Sequence, residues 1–106
     1  MSSHAVDSTG LAASASVTID VGAGRGALVI YPSERYRGRE IEISPVAEGA
    51  PRVHTGVHER RSHRGPVLTA IFGSLRTGEY IVWADAETRA ASVEVREGAV
   101  QEIALV

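Results

Sequence analysis

The feature that most constrains this chain is a recurrence of short stretches in which apolar and polar residues alternate. Each is closed by glycine, proline or a polar turn within about 8 to 12 residues. Residues 15–21 place Val17, Ile19 and Val21 on one face and Ser16, Thr18 and Asp20 on the other. Residues 39–44 repeat the pattern with Ile41 and Ile43, and residues 91–96 with Val93 and Val95. A period of two is that of a strand with one buried face. No segment carries a sustained 3.6-residue apolar stripe with capping residues, so the chain reads as almost free of helix.

Two further runs, residues 27–31 (ALVIY) and 67–72 (VLTAIF), are apolar enough to be buried on both faces. The three glycines at 22, 24 and 26 have the look of a phosphate-cradling loop. They lead into a β-type run and not into a helix, so they are read as a turn between strands. Residues 74–85 form the best-specified segment: a turn, then a strand with Tyr80 and Val82 on one face and Ile81 and Trp83 on the other. Tyr80, Val82 and Trp83 are the expected structural core, because an aromatic ring removes a large apolar area from water. Glu97 and Gly98 are expected to make a tight hairpin between the last two strands. The fold class that results is all-β: an antiparallel sandwich of seven to eight strands, of immunoglobulin-like or prealbumin-like type.

At 106 residues the chain is one domain. Residues 1–13 are small and polar and are expected to be a disordered tail, with the sandwich occupying residues 14–106. The absence of cysteine removes disulfides, thiolate ligands and a thiol nucleophile. A formal charge of −2 removes the bulk attraction to nucleic acid and to anionic membranes. All 11 basic residues are arginine, as in a GC-rich bacterial gene. With no signal-like start and no apolar run of about 20 residues, a cytoplasmic protein is expected.

Two resemblances rest on particular residues. Residues 75–82 (LRTGEYIV), together with 91–103 (ASVEVREGAVQEI), resemble the second half of prealbumin-like domains such as the carboxypeptidase regulatory-like modules. That resemblance implies a seven-stranded sandwich serving as an accessory or adhesion module, and it carries over no catalytic residue. The N-terminal residues 3–7 (SHAVD), with His4, resemble the opening motif of the transthyretin-related hydroxyisourate hydrolases. The closing Tyr-Arg-Gly-Ser of those enzymes is missing, and Tyr36-Arg37-Gly38-Arg39 lies in an early loop.

The most polar strand, residues 52–61, places Val53, Thr55 and Val57 inward and His54, His58 and Arg60 outward, as an edge strand would. With the turn after it, it collects His54, His58, Arg60, Arg61, His63 and Arg64 as the residues expected to meet a partner or ligand. Guanidinium and imidazole groups together suit an acidic surface or a carboxylate. His54 and His58 are also the metal candidates, although four residues along a strand separate them by about 13 Å, too far for one zinc ion. Basic residues here lack interleaved aromatics, so nucleic acid is not expected. The expectation is a non-enzymatic interaction domain, without cofactor, that binds another protein or pairs as a homodimer. The alternatives are a small-ligand or metal-ion binder built on His54 and His58, and a transthyretin-related hydrolase.

Overall fold

Among the described residues the alternating segments resolve into eight strands and no α-helix. The structure is a computed structural model, and it describes residues 18–47 and 51–106. The strands are β1 (Arg25–Pro32), β2 (Glu40–Pro45), β3 (Val53–Gly56) and β4 (His58–Ser62), then β5 (Gly65–Arg76), β6 (Gly78–Trp83), β7 (Arg89–Val95) and β8 (Val100–Leu105). They assort into two four-stranded sheets, one ordered β4-β5-β1-β8 and the other β3-β2-β6-β7. His4, the expected tail and the boundary at residue 14 lie outside the described residues.

One core lies between the sheets. Leu28 and Ile30 of β1 and Ala70 and Phe72 of β5 meet Ile41, Ile43, Tyr80, Val82, Val93 and Val95 from the other sheet. Leu28, Ile30, Ile43 and Val82 are fully buried, and each such aliphatic side chain contributes about 1.5 to 3 kcal/mol. The runs expected to be buried on both faces are so. Val29 of β1 and Ile71 of β5 point away from the core and form a second cluster with Tyr31 and Val67. The charged connection between β1 and β2 contains a single 3₁₀ turn, Glu34–Tyr36, that delivers Tyr36 wholly into the core. There the Arg35 guanidinium donates to the phenol oxygen at 2.7 Å.

Four expectations are corrected. The arrangement is not purely antiparallel, because β8 lies parallel to β1 from Ala27↔Val100 to Pro32↔Leu105. The hairpin expected at Glu97-Gly98 is instead a crossing between sheets, since β7 and β8 belong to different ones. Gly98 turns there at a φ of 75°, a left-handed conformation that glycine adopts without penalty, and its N–H donates to the carbonyl of Arg25 at 3.0 Å. The strand expected at residues 15–21 is not formed over 18–21, which are held to β5 by one hydrogen bond from the Asp20 N–H to the Gly73 carbonyl at 2.8 Å. Finally, the single strand expected over 52–61 is two. The chain breaks at Val57, whose buried side chain drops into the core while its N–H donates to the Arg39 carbonyl at 3.0 Å.

Trp83 also stands apart from expectation. Tyr80 and Val82 line the core, but alternation turns Trp83 to the outer face of its sheet, where it is half-buried. Its indole N–H donates to Ser44 Oγ at 2.9 Å. An apolar residue on both faces of β6 is therefore not a sign that both faces meet core.

Candidate functional site

The residues singled out from the sequence fall along one ribbon, formed by β3, Val57, β4 and the turn into β5. Because β3 is the outermost strand of one sheet and β4 of the other, the ribbon is the edge of the whole molecule on that side. The two strands therefore belong to different ladders, and His54 and His58 do not share a sheet. His54 lies on β3 with Nδ1 3.4 Å from the Glu40 carboxylate. His58 lies on β4 against Gly56, where an added Cβ would come within 2.9 Å of its Nε2. Among the described residues no three His, Asp or Glu side chains are gathered to hold a metal ion.

Arg60 leaves the exposed set. Its Nε donates to Thr69 Oγ1 at 2.8 Å, and the residue is only 9% exposed. Arg60 does point away from the core, as alternation requires. The outer face of that sheet is itself apolar there, however, so the aliphatic stem lies down across β5 instead of extending into water. Arg61, His63 and Arg64 remain exposed at the tip of the β4–β5 hairpin, whose turn is tightened by Ser62 Oγ donating to the Gly65 carbonyl at 2.8 Å. Glu59 at the same edge accepts from Arg37 at 3.1 Å.

Beside the ribbon, Arg52 places its guanidinium 3.8 Å from the centre of the Trp83 ring and donates to Glu42 at 2.8 Å. Arg89 approaches the same ring at 5.7 Å. The adjoining turn is fixed by Asp85, whose carboxylate accepts the N–H groups of Glu87 and Thr88 at 2.9 and 2.8 Å. Those bonds, first that from Glu87, hold its carboxyl below the usual range.

A cavity lies away from this ribbon's hairpin, at the end of the molecule where β5 passes into β6. It measures about 690 Å³ and is walled by Val46, Pro51, Val53, Leu75 and Tyr80, with Arg25 and Arg76 at its margin. Tyr80 donates its hydroxyl to the Arg76 carbonyl at 2.8 Å. Burial raises the Tyr80 pKa, while the positive charges of Arg25 and Arg76 pull the other way. Reading the sequence does not find this group. Arg25 and Arg76 are paired by the register of β1 against β5, and nothing local to either residue announces the other. The one signal in the sequence is the pair of prolines, Pro45 and Pro51, that bracket the connection between β2 and β3.

Compared with known protein families, with curated proteins and with solved structures, the chain matches none.

Proposed function

We propose that this chain is a non-enzymatic recognition module of prealbumin-like type, acting in the cytoplasm, that binds another protein or a second copy of itself along the ribbon from Val53 to Ser62. The observation that carries this reading is that β3 and β4 are the outermost strands of the two sheets and succeed one another with only Val57 between them. An outermost strand keeps a row of backbone N–H and C=O groups that a partner strand can pair with. Here two such rows run in succession along one flank. Arg61 and Arg64 at the hairpin tip add positive charge suited to an acidic partner surface, and His63 lies between them. Recognition through backbone pairing supplies affinity, and the basic tip supplies orientation.

The test is NMR of the full chain over a concentration series and in the presence of any protein it captures. Amide resonances of residues 53–62 are expected to move on association, and Arg61→Glu with Arg64→Glu is expected to weaken it. A chain that stays monomeric at millimolar concentration and captures no protein overturns the proposal. So does association that moves only resonances of β7 and β8.

A further inference from the structure

The cavity at the β5–β6 end holds two features that do not explain one another structurally. The first is apolar exposure. Four large apolar residues stand exposed among the described residues, and two of them, Val46 at 51% and Val53 at 38%, are walls of this one cavity. Leu75 and Tyr80 continue the apolar wall into the core. A volume of about 690 Å³ sits within the range of about 300 to 1,000 Å³ typical of small-molecule sites.

The second feature is charge. Arg25 and Arg76 are direct cross-strand neighbours, a placement of like charges that disfavours the ladder. Among the described residues neither has an acidic partner, whereas Arg37, Arg52 and Arg96 each reach a glutamate. Among the described residues the one acidic residue lining the cavity, Glu79, alternates with Tyr80 and so has its side chain on the other face of β6, opposite Glu94. The field of both arginines reaches the Tyr80 hydroxyl, inside the apolar wall.

We propose that this cavity binds a small amphipathic carboxylate, with its hydrocarbon body against Val46, Val53 and Leu75 and its carboxylate held by Arg25 and Arg76. Two guanidinium groups on cross-strand neighbours that line one cavity are suited to a planar anion, which they would clasp through charge-assisted hydrogen bonds. An anion bound between them offsets their mutual repulsion. The apolar walls select against small hydrophilic anions, because binding one leaves exposed valines uncovered. The site shares only Val53 with the partner ribbon and stands if that reading fails.

The experiment is calorimetric titration of the full chain with decanoate, and with decanol and acetate as separate controls. Decanoate is expected to saturate one site. Arg25→Gln and Arg76→Gln are each expected to weaken it about tenfold or more, since a hydrogen bond to a charged group contributes about 1.5 to 3 kcal/mol. Decanol is expected to bind more weakly by a similar factor, and acetate not to saturate. Arg76 is exposed and Arg25 half-buried, and unchanged NMR dispersion of the variants establishes that they fold. Absence of saturable decanoate binding overturns the proposal. Equal affinity for decanol, or decanoate binding that both arginine variants leave intact, overturns the carboxylate site. Acetate binding as tightly as decanoate overturns the role of the apolar walls.

Discussion

The polar ribbon and the β5–β6 end are both rich in arginine, yet they treat it in opposite ways. Along the ribbon's flank the charges are absorbed: Arg52 lies on Trp83 and pairs with Glu42, and Arg60 is laid down on Thr69. At the other end Arg25 and Arg76 face each other across a ladder with no acid among the described residues to separate them. Clustering in sequence is therefore a poor guide to available charge. Two arginines of the conspicuous run, Arg52 and Arg60, find partners on neighbouring strands, and the sparse pair, which is brought together only by register, finds no acidic partner among the described residues.

Four measurements would break or sharpen this contrast. The largest effect is expected at Gly26, next to Arg25, where a Cβ would meet the Arg96 carbonyl oxygen at 2.2 Å and Val95 Cγ1 at 2.8 Å. Gly26→Ala is expected to cost about 3 kcal/mol in denaturant unfolding, because backbone cannot yield as a flexible side chain does. On the ribbon, Arg60→Ala is expected to cost about 2 kcal/mol, combining lost packing of the stem with a lost buried donor. A null result there would return Arg60 to the exposed set. Smaller again is the coupling between Arg52 and Trp83. A double-mutant cycle of Arg52→Ala with Trp83→Ala is expected to read about 0.5 to 1 kcal/mol. Least of all, Arg76→Gln is expected to raise stability by about 0.3 kcal/mol by relieving like-charge opposition. If that substitution destabilised the fold instead, the pair would be structural and the contrast would fall.

The all-β class was legible because burial on one face imposes a period of two, and Ile41, Ile43, Val93 and Val95 carry it without interruption. Strand pairing was less so. Residues 53–57 alternate and the polar run 58–62 reads as their continuation along one edge strand, and only the tertiary choice to bury Val57 and change sheets divides them. The turn at Gly98 fits a hairpin locally, but Val95 and Leu105 must enter the core from opposite sheets. Trp83 misled for a related reason. A large ring was read as core, while its N–H found Ser44 and its face found Arg52 on the outside. Tyr36, in a segment that reads as charged loop, turned out to be among the largest fully buried side chains. For the candidate site, exposure of His54, His63 and Arg64 was legible in composition, whereas the pairing of Arg25 with Arg76 depends on a bulged register that no local pattern encodes.

The parallel contact between β1 and β8 has a consequence for the order of assembly. β1 is the first strand described along the chain and β8 the last, so one side of β1 stays open until β8 has been made. On a ribosome, β4, β5 and β1 can pair while the C-terminal segment is still being synthesised, leaving a central strand exposed as a temporary edge. Contacts so distant in sequence slow folding, because the loop must close before the pairing stabilises it. Closure by β8 is therefore the step that takes β1 from the edge to the interior of its sheet, and truncations within β8, which leave β1 as an edge, are expected to aggregate before they unfold.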